Sequence, residues 1–331
     1  MGVVVIDSGI SNIEKYNVVK FKNFVDDNSS NVEDQNGHGT YCAEIISKIN
    51  PSVELYIMKV LDDYACGKTE NVIKALETLC SENISQHVIC MSLSSANATY
   101  MEEMDMLCQQ LTKRNNVIVA AADNNQAVKS IPASFKYVIG VNGIIMHDNG
   151  YWFDRNKEIQ YIGDVTPAFL EDLVGGYKMF GGNSKIVAEL SARLDNQFEG
   201  TLSFDKVIKY LQQYCLKSEW DTLEIVNGRK IDESNFLVNK TKRCSDIFYK
   251  VEDIVLKYLN ITQKEIQSET LHKYMFPDDY YNILKKIENT LNIIIDYKKI
   301  QFKEFNSIYS LVERINQIYR KGEKYNDNRS V

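Results

Sequence analysis

Three short stretches, far apart in the chain, each carry one side chain of a possible proton-relay set: a carboxylate at Asp7, an imidazole at His38 and a hydroxyl at Ser184. A serine hydroxyl is a weak nucleophile at neutral pH, and a base that takes its proton during attack overcomes this. An imidazole, with an unperturbed pKa of about 6.5, suits that transfer near neutrality. A carboxylate behind the ring holds its tautomer and stabilises the imidazolium without itself accepting the proton. Among the histidines, His38 is flanked by glycines on both sides, whereas His87, His147 and His272 lack such a setting.

The elements that must position these groups are legible around each one. Residues 3–10 read VVVIDSGI, an apolar run ending at Asp7 with a turn at Ser8-Gly9. Such a run predicts a buried parallel strand that delivers the carboxylate at its C-terminal edge, where open α/β sheets place their sites. In DQNGHGTYCAEII (34–46), Gly37 and Gly39 let the backbone bend around His38 before an apolar helix begins at Tyr41 or Cys42. In MFGGNSKIVAELSARL (179–194), Gly181 and Gly182 precede Ser184, and Ile186, Val187, Leu190 and Leu194 follow at helical spacing. Ser184 thus opens a helix, whose unpaired N–H groups and positive dipole end favour a developing negative charge.

Together these segments resemble the subtilisin-like (S8) serine proteases, which share the order Asp, His, Ser. Four further stretches agree, in order: ELYIMKVLDD (54–63), HVICMSLSS (87–95), NVIVAAADNN (116–125) and SIPASFKYVIGV (130–141). The likeness covers about residues 2–195. Each motif alone is an ordinary turn, loop histidine or helix cap, and the colinear set is what is specific. The resemblance implies a three-layer α/β fold with a central parallel sheet, and a peptide-bond hydrolase with Asp7, His38 and Ser184 as its triad. It further implies that Asn124 and the Ser184 backbone N–H donate to the oxyanion, and that Ser92, Leu93 and Ser94 offer main-chain contacts to an extended peptide.

The chain departs from the family at two places. Asp123 stands where glycine usually precedes the oxyanion asparagine, which opens an alternative: a subtilisin-like shell that binds a peptide or partner without cutting it, its oxyanion site muted by a carboxylate. Around the nucleophile the usual threonine, methionine and proline are replaced, giving Gly182-Asn183-Ser184-Lys185-Ile186-Val187-Ala188. The helix survives this, with Lys185 and Glu189 at i,i+4 spacing. Cys42, one helical turn after His38, reads as a small buried apolar residue, with a redox-sensitive site as the other possibility.

At 331 residues and 44% apolar content the chain can bury a sizeable core in two domains. A net charge of −7 argues against a nucleic-acid partner. No long uncharged apolar run predicts a membrane span, and the chain opens almost directly on a strand, with no signal segment or folding propeptide in view. The seven cysteines are scattered, odd in number and without metal-ligand spacing, which fits reduced thiols in the cytoplasm and neither a metal nor a cofactor.

The peptidase part is expected over residues 1–199, followed by a polar connection over 200–245 and a helical domain over 246–331. Apolar residues recur at helical spacing in 251–259, 281–295 and 307–319, with Thr262 and Ser307 as expected caps. The rhythm of this stretch resembles an acyl carrier protein domain. Phe276-Pro277-Asp278-Asp279-Tyr280 occupies the place of the phosphopantetheine serine, and residues 246–319 hold 11 acidic against 10 basic side chains, so the likeness implies a bundle that cannot be loaded. Having no chemistry of its own, this domain is expected to dock a substrate or partner protein. For the whole chain the sequence favours limited proteolysis of a specific peptide, such as leader removal, over bulk degradation.

Overall fold

The computed structural model describes residues 1–26, 28–95, 97–123, 129–146, 148, 150–230 and 246–327. Packing divides the chain into two compact units, Met1–Thr166 with Gly181–Arg229, and Pro167–Phe180 with Lys230–Val331.

In the first unit the apolar runs become strands. They are β1 (Val3–Asp7), β2 (Val18–Asn23), β3 (Leu55–Lys59), β4 (Val88–Met91), β5 (Val117–Ala121), β6 (Val138–Ile144), β7 (Trp152–Phe153) and β8 (Tyr161–Asp164). They form one sheet in the order β2-β3-β1-β4-β5-β6-β8-β7, parallel throughout except at the β7–β8 edge. Strands β1, β4 and β5 are buried along their whole length, as a continuous apolar run demands when helices cover both faces of a parallel sheet. The covering helices are α1 (His38–Ile49), α2 (Thr69–Ser81), α3 (Met101–Lys113) and α4 (Gly182–Gln197). Val72, Leu76 and Leu79 of α2 and Met104, Leu107 and Leu111 of α3 share one core with Ile6, Ile89 and Ile118 of the sheet. Helix α4 packs on α1 and on β4, β5 and β6.

Residues 200–229, expected as a connection, fold as α5 (Phe204–Tyr214) and α6 (Thr222–Gly228) and belong to the first unit. The cause is the burial of a few well-spaced apolar side chains: Val207 and Leu211 of α5, and Ile225 of α6, which packs on Ile144 and Ile162. Asp221 and Glu224 form a capping box that starts α6.

The second unit holds α7 (Asp246–Leu259), α8 (Gln263–Ser268), α9 (Asp279–Leu291) and α10 (Ile308–Asp327). Thr262 caps α8 with a capping box, and the Ser307 hydroxyl accepts from the Ser310 N–H at the start of α10. The apolar period in 281–295 outlasts its helix, because Asn292 turns left-handed (φ 51°) and the Ile293 N–H returns to the Glu288 carbonyl. Unexpected from the sequence is an antiparallel hairpin, β9 (Ala168–Glu171) with β10 (Tyr177–Phe180), that belongs to this unit. Its Phe169 and Met179 are buried with Val251, Ile283 and Leu311 in the bundle core, and Tyr177 stacks on Tyr297 at 4.8 Å. No helix among the described residues is long and apolar enough to cross a membrane.

Candidate active site

Asp7 ends β1 and is 1% exposed. One of its carboxylate oxygens, Oδ1, accepts from the Ser8 N–H at 2.8 Å and lies 2.8 Å from His38 Nδ1. On the far side of the ring, Nε2 lies 3.0 Å from Ser184 Oγ. The fold therefore brings together a carboxylate, an imidazole and a hydroxyl separated by 31 and 146 positions in sequence. Nδ1 donates to Asp7, which leaves Nε2 as the acceptor facing the serine hydroxyl.

The glycines around His38 have distinct tasks. Gly37 sits at φ 96°, a conformation in which a side chain is strained, and turns the chain into α1. Gly39 allows close approach: a Cβ there would lie 2.4 Å from the Gly9 carbonyl oxygen and 3.2 Å from Asp7 Cβ. Its N–H also donates to Ser8 Oγ at 3.0 Å, so the histidine helix is seated directly on the strand end that carries Asp7.

A buried residue that the sequence reading passed over organises this turn. Asp34, 1% exposed, accepts from the N–H groups of Asn36 (3.1 Å), Gly37 (2.9 Å) and Thr40 (2.9 Å) and from Thr40 Oγ1 (2.7 Å). It thus caps the start of α1 and places a second negative charge near the imidazole. The signal was present, an aspartate three residues before the helix entry in DQNGHG, but an Asx turn predicts a local bend and not burial. Burial by itself depresses the His38 pKa. The Asp7 charge and hydrogen bond, with the Asp34 charge, outweigh it and leave the imidazole raised above its ordinary 6.5.

At the nucleophile, α4 begins with Gly182 and Ser184 lies in its first turn. The predicted Lys185–Glu189 pair forms at 3.2 Å, and Lys185 Nζ also donates to the Asp164 carbonyl at 3.0 Å. Asn183 Nδ2 donates to the Ala122 carbonyl at 2.9 Å, fixing the helix start to the end of β5. Ser92 Oγ donates to the Ser184 carbonyl at 3.2 Å, Leu93 packs against the core, and Ser94 Oγ donates to Asp123 Oδ2 at 3.2 Å. Asn124 lies outside the described residues.

Cys42 is fully buried, 3.5 Å from Ser92 Oγ and 4.0 Å from Asp7 Oδ2. Burial, reinforced by the Asp7 charge, pushes its thiol well above the ordinary range, which leaves a packing residue and no nucleophile. Asp7, His38 and Cys42 are also the described side chains whose ligand atoms cluster closely enough to suggest a metal site. Their atoms are instead tied into the hydrogen bonds just described, with Nε2 aimed at Ser184.

The sequence profile of the subtilase family matches residues 2–202. The chain is 31% identical over 163 residues to subtilisin Savinase of Lederbergia lenta, covering 46% of this chain and 59% of that protein. It is likewise 31% identical to an alkaline protease of Shouchella clausii, of which it spans 42%. The chain therefore spans about half the length of these relatives. Among solved structures, a cold-adapted subtilisin-like serine proteinase superposes with a TM-score of 0.54 at 21% identity, over 66% of this chain and 89% of the other. A lanthipeptide protease superposes with a TM-score of 0.55 at 17% identity, over 66% and 81%. With the family profile spanning well over half of its length, and with the triad side chains in hydrogen-bond contact, the chain belongs to the subtilase family.

Proposed function

We propose that this chain is a serine endopeptidase that cleaves a specific peptide or protein through an acyl-enzyme intermediate. The observation that carries the reading is the continuous contact Asp7 Oδ1 to His38 Nδ1 at 2.8 Å and His38 Nε2 to Ser184 Oγ at 3.0 Å. Ser184 Oγ attacks the scissile carbonyl carbon while its proton passes to His38 Nε2. The imidazolium, hydrogen-bonded to Asp7 and favoured by the Asp34 charge, then gives that proton to the leaving amine, and the acyl group stays on Ser184. Water, deprotonated by the same nitrogen, releases the acid and restores the hydroxyl. The Ser184 N–H and Asn124 are the expected oxyanion donors, each such donor contributing about 2.7–4 kcal/mol in the transition state.

Limited proteolysis of a defined peptide, such as leader removal, is the favoured role. A lanthipeptide protease is among the structures of like fold, and the separate helical unit offers a place to dock a substrate or partner protein. The rhythm of that unit supports reading it as a carrier-like bundle that holds no prosthetic group. Free thiols at Cys42, Cys66, Cys80, Cys90, Cys108 and Cys215 support a reducing, cytoplasmic setting. A fluorophosphonate probe should label the protein, and Ser184→Ala should abolish labelling. Equal absence of labelling in both would favour the binding-only alternative.

A further inference from the structure

Lys185 is a buried cation at the end of the first turn of α4, where the positive end of the helix dipole and the loss of water both disfavour a positive charge. Its bonds offset that cost. Nζ donates to the Asp164 carbonyl at 3.0 Å, pairs with Glu189 at 3.2 Å and lies 3.9 Å from Asp164 Oδ2. Glu189 is one turn further along α4 itself, so the contacts with Asp164, at the end of β8, are the ones that tie the helix to the sheet.

Asp164 is a firm point to hold. Its Oδ1 accepts from the N–H groups of Met146 (3.1 Å) and Thr166 (3.0 Å) and from the Thr166 hydroxyl. Two more contacts seat the same turn of α4. The Gly182 N–H donates to the Val165 carbonyl at 3.0 Å. Ile186 fills a notch left by two glycines: a Cβ on Gly143 of β6 would lie 2.3 Å from Ile186 Cδ1, and one on Gly163 of β8 would lie 2.5 Å from its Cγ2. Residues 182, 185 and 186 are thus held against the ends of β6 and β8, and Ser184 is carried among them.

The chain on the other side of Ser184 gives little restraint. Gly181 and Gly182 lead into the helix, and Gly182 stands at φ 75° with no atom within 4 Å of where a Cβ would be. Ser184 Oγ must nevertheless stay 3.0 Å from His38 Nε2. An apolar stem at position 185 could fill the same space, but a charged donor also fixes a direction.

We propose that Lys185 is a positioning residue for the nucleophile: by bridging α4 to Asp164, its ammonium group holds Ser184 Oγ within reach of His38. The proposal rests on the hydrolase reading above and gives a task to the residue that stands where the family usually carries methionine.

Two variants of the full chain test it. Lys185→Met keeps the stem and removes the donors, whereas Glu189→Gln removes the partner within the helix and leaves the tie to Asp164. On a fluorogenic peptide Lys185→Met should lower kcat by roughly 10- to 100-fold with KM within about 3-fold of wild type, the range for a nucleophile displaced by up to about 1 Å. Fluorophosphonate labelling of Ser184 should slow by a like factor. Glu189→Gln should stay within about 3-fold of wild type in both assays, as expected for loss of one i,i+4 pair. Wild-type kcat in Lys185→Met, or parallel losses in the two variants, overturns the positioning role while the hydrolase reading stands. A wild type that neither cleaves nor labels counts against the hydrolase reading alone, and amide exchange over residues 181–187 then decides the role of Lys185. That exchange should be at least ~10-fold faster in Lys185→Met and unchanged in Glu189→Gln, and equal exchange in wild type and Lys185→Met refutes the proposal. Should Lys185→Met fail to fold, Lys185→Gln, a shorter and uncharged donor, takes its place with the same expected and refuting results.

Discussion

Replacing Asp34 separates the two services it renders, holding the entry to α1 and raising the proton affinity of His38. Asp34→Ala leaves three backbone N–H groups and the Thr40 hydroxyl without their acceptor in a site that is 1% exposed. Each such loss costs about 1–3 kcal/mol, and partial relaxation or an entering water keeps the total to about 3–6 kcal/mol. Asp34→Asn is milder. Its amide oxygen replaces one carboxylate oxygen while its NH₂ group meets donors on the other side, so half of the bonds fail and about 2–4 kcal/mol is lost. The asparagine also removes a negative charge that raises the His38 pKa. His38 must be neutral to accept the serine proton, so kcat/KM rises with pH as the imidazolium deprotonates, with a wild-type midpoint above 6.5. In Asp34→Asn that midpoint moves to lower pH, and a shifted imidazole costs kcat on the order of 10²-fold for a displacement near 1 Å. The pH dependence of kcat/KM on a fluorogenic peptide, measured beside thermal unfolding, reads all three effects. Unchanged unfolding together with an acid limb that stays put or moves upward would refute the argument.

Three further outcomes follow from other parts of the molecule. In the second unit, His272 Nε2–H donates to Asn306 Oδ1 (3.0 Å), Nδ1 accepts from the Tyr280 hydroxyl (2.8 Å), and burial lowers its pKa to about 4. Because the unfolded chain binds the proton more readily, the stability this supplies, up to about 3 kcal/mol, is complete above pH 6.5 and is lost as pH falls toward 4; amide exchange of residues 279–291 should quicken over that window in wild type and not in His272→Gln, and a pH-independent wild type would count against it. Phe169→Ala should destabilise the second unit by about 3–5 kcal/mol in denaturant unfolding, since the ring is 3% exposed in the bundle core, and a loss below 1 kcal/mol would show the hairpin to be peripheral. A thiol reagent applied to the native protein should modify exposed Cys66 and spare Cys42, as mass spectrometry can show; rapid modification of Cys42 with loss of labelling by a fluorophosphonate would restore the redox reading.

How far the fold could be read in advance depended on whether a segment's partner was implied by its own pattern. VVVI, VICM and VIVAA name their environment, because an unbroken apolar run in a strand has to be covered on both faces, and all three lie side by side in the sheet. Asp7, His38 and Ser184 each stand at the edge of an apolar element, but it was the colinear set of motifs and no single one of them that pointed to the contact they make. Asp34 escaped notice because its importance lies in burial, which four short-range hydrogen bonds make possible and no period announces. Ile225 escaped because a seven-residue helix has too few turns to show a period, although its one buried side chain is enough to seat it on Ile144 and Ile162.

The hairpin of β9 and β10 was invisible for a further reason, and it changes how recruitment by the helical unit has to be tested. AFLE and YKMF are short and mixed, and their partners lie far along the chain: Tyr297 against Phe169 and Tyr177, Lys298 with Glu171 at 2.7 Å, and Asp278 with Lys178 at 3.2 Å. Pairings at such sequence separation leave no trace in a local window. Deleting residues 246–331 would strip Phe169 and Met179 of the core that buries them, in a segment that runs straight into Gly181 and the nucleophile helix. Loss of peptide cleavage after that deletion would therefore say nothing about docking. Point changes at exposed apolar side chains of the bundle, Phe276→Ser (77% exposed) and Ile294→Ser (90% exposed), remove surface without disturbing the core. If the helical unit recruits the natural substrate, these variants cleave a short peptide at the wild-type rate and act more slowly on that substrate. Equal rates on both, with either variant, would exclude a docking role for the altered surface.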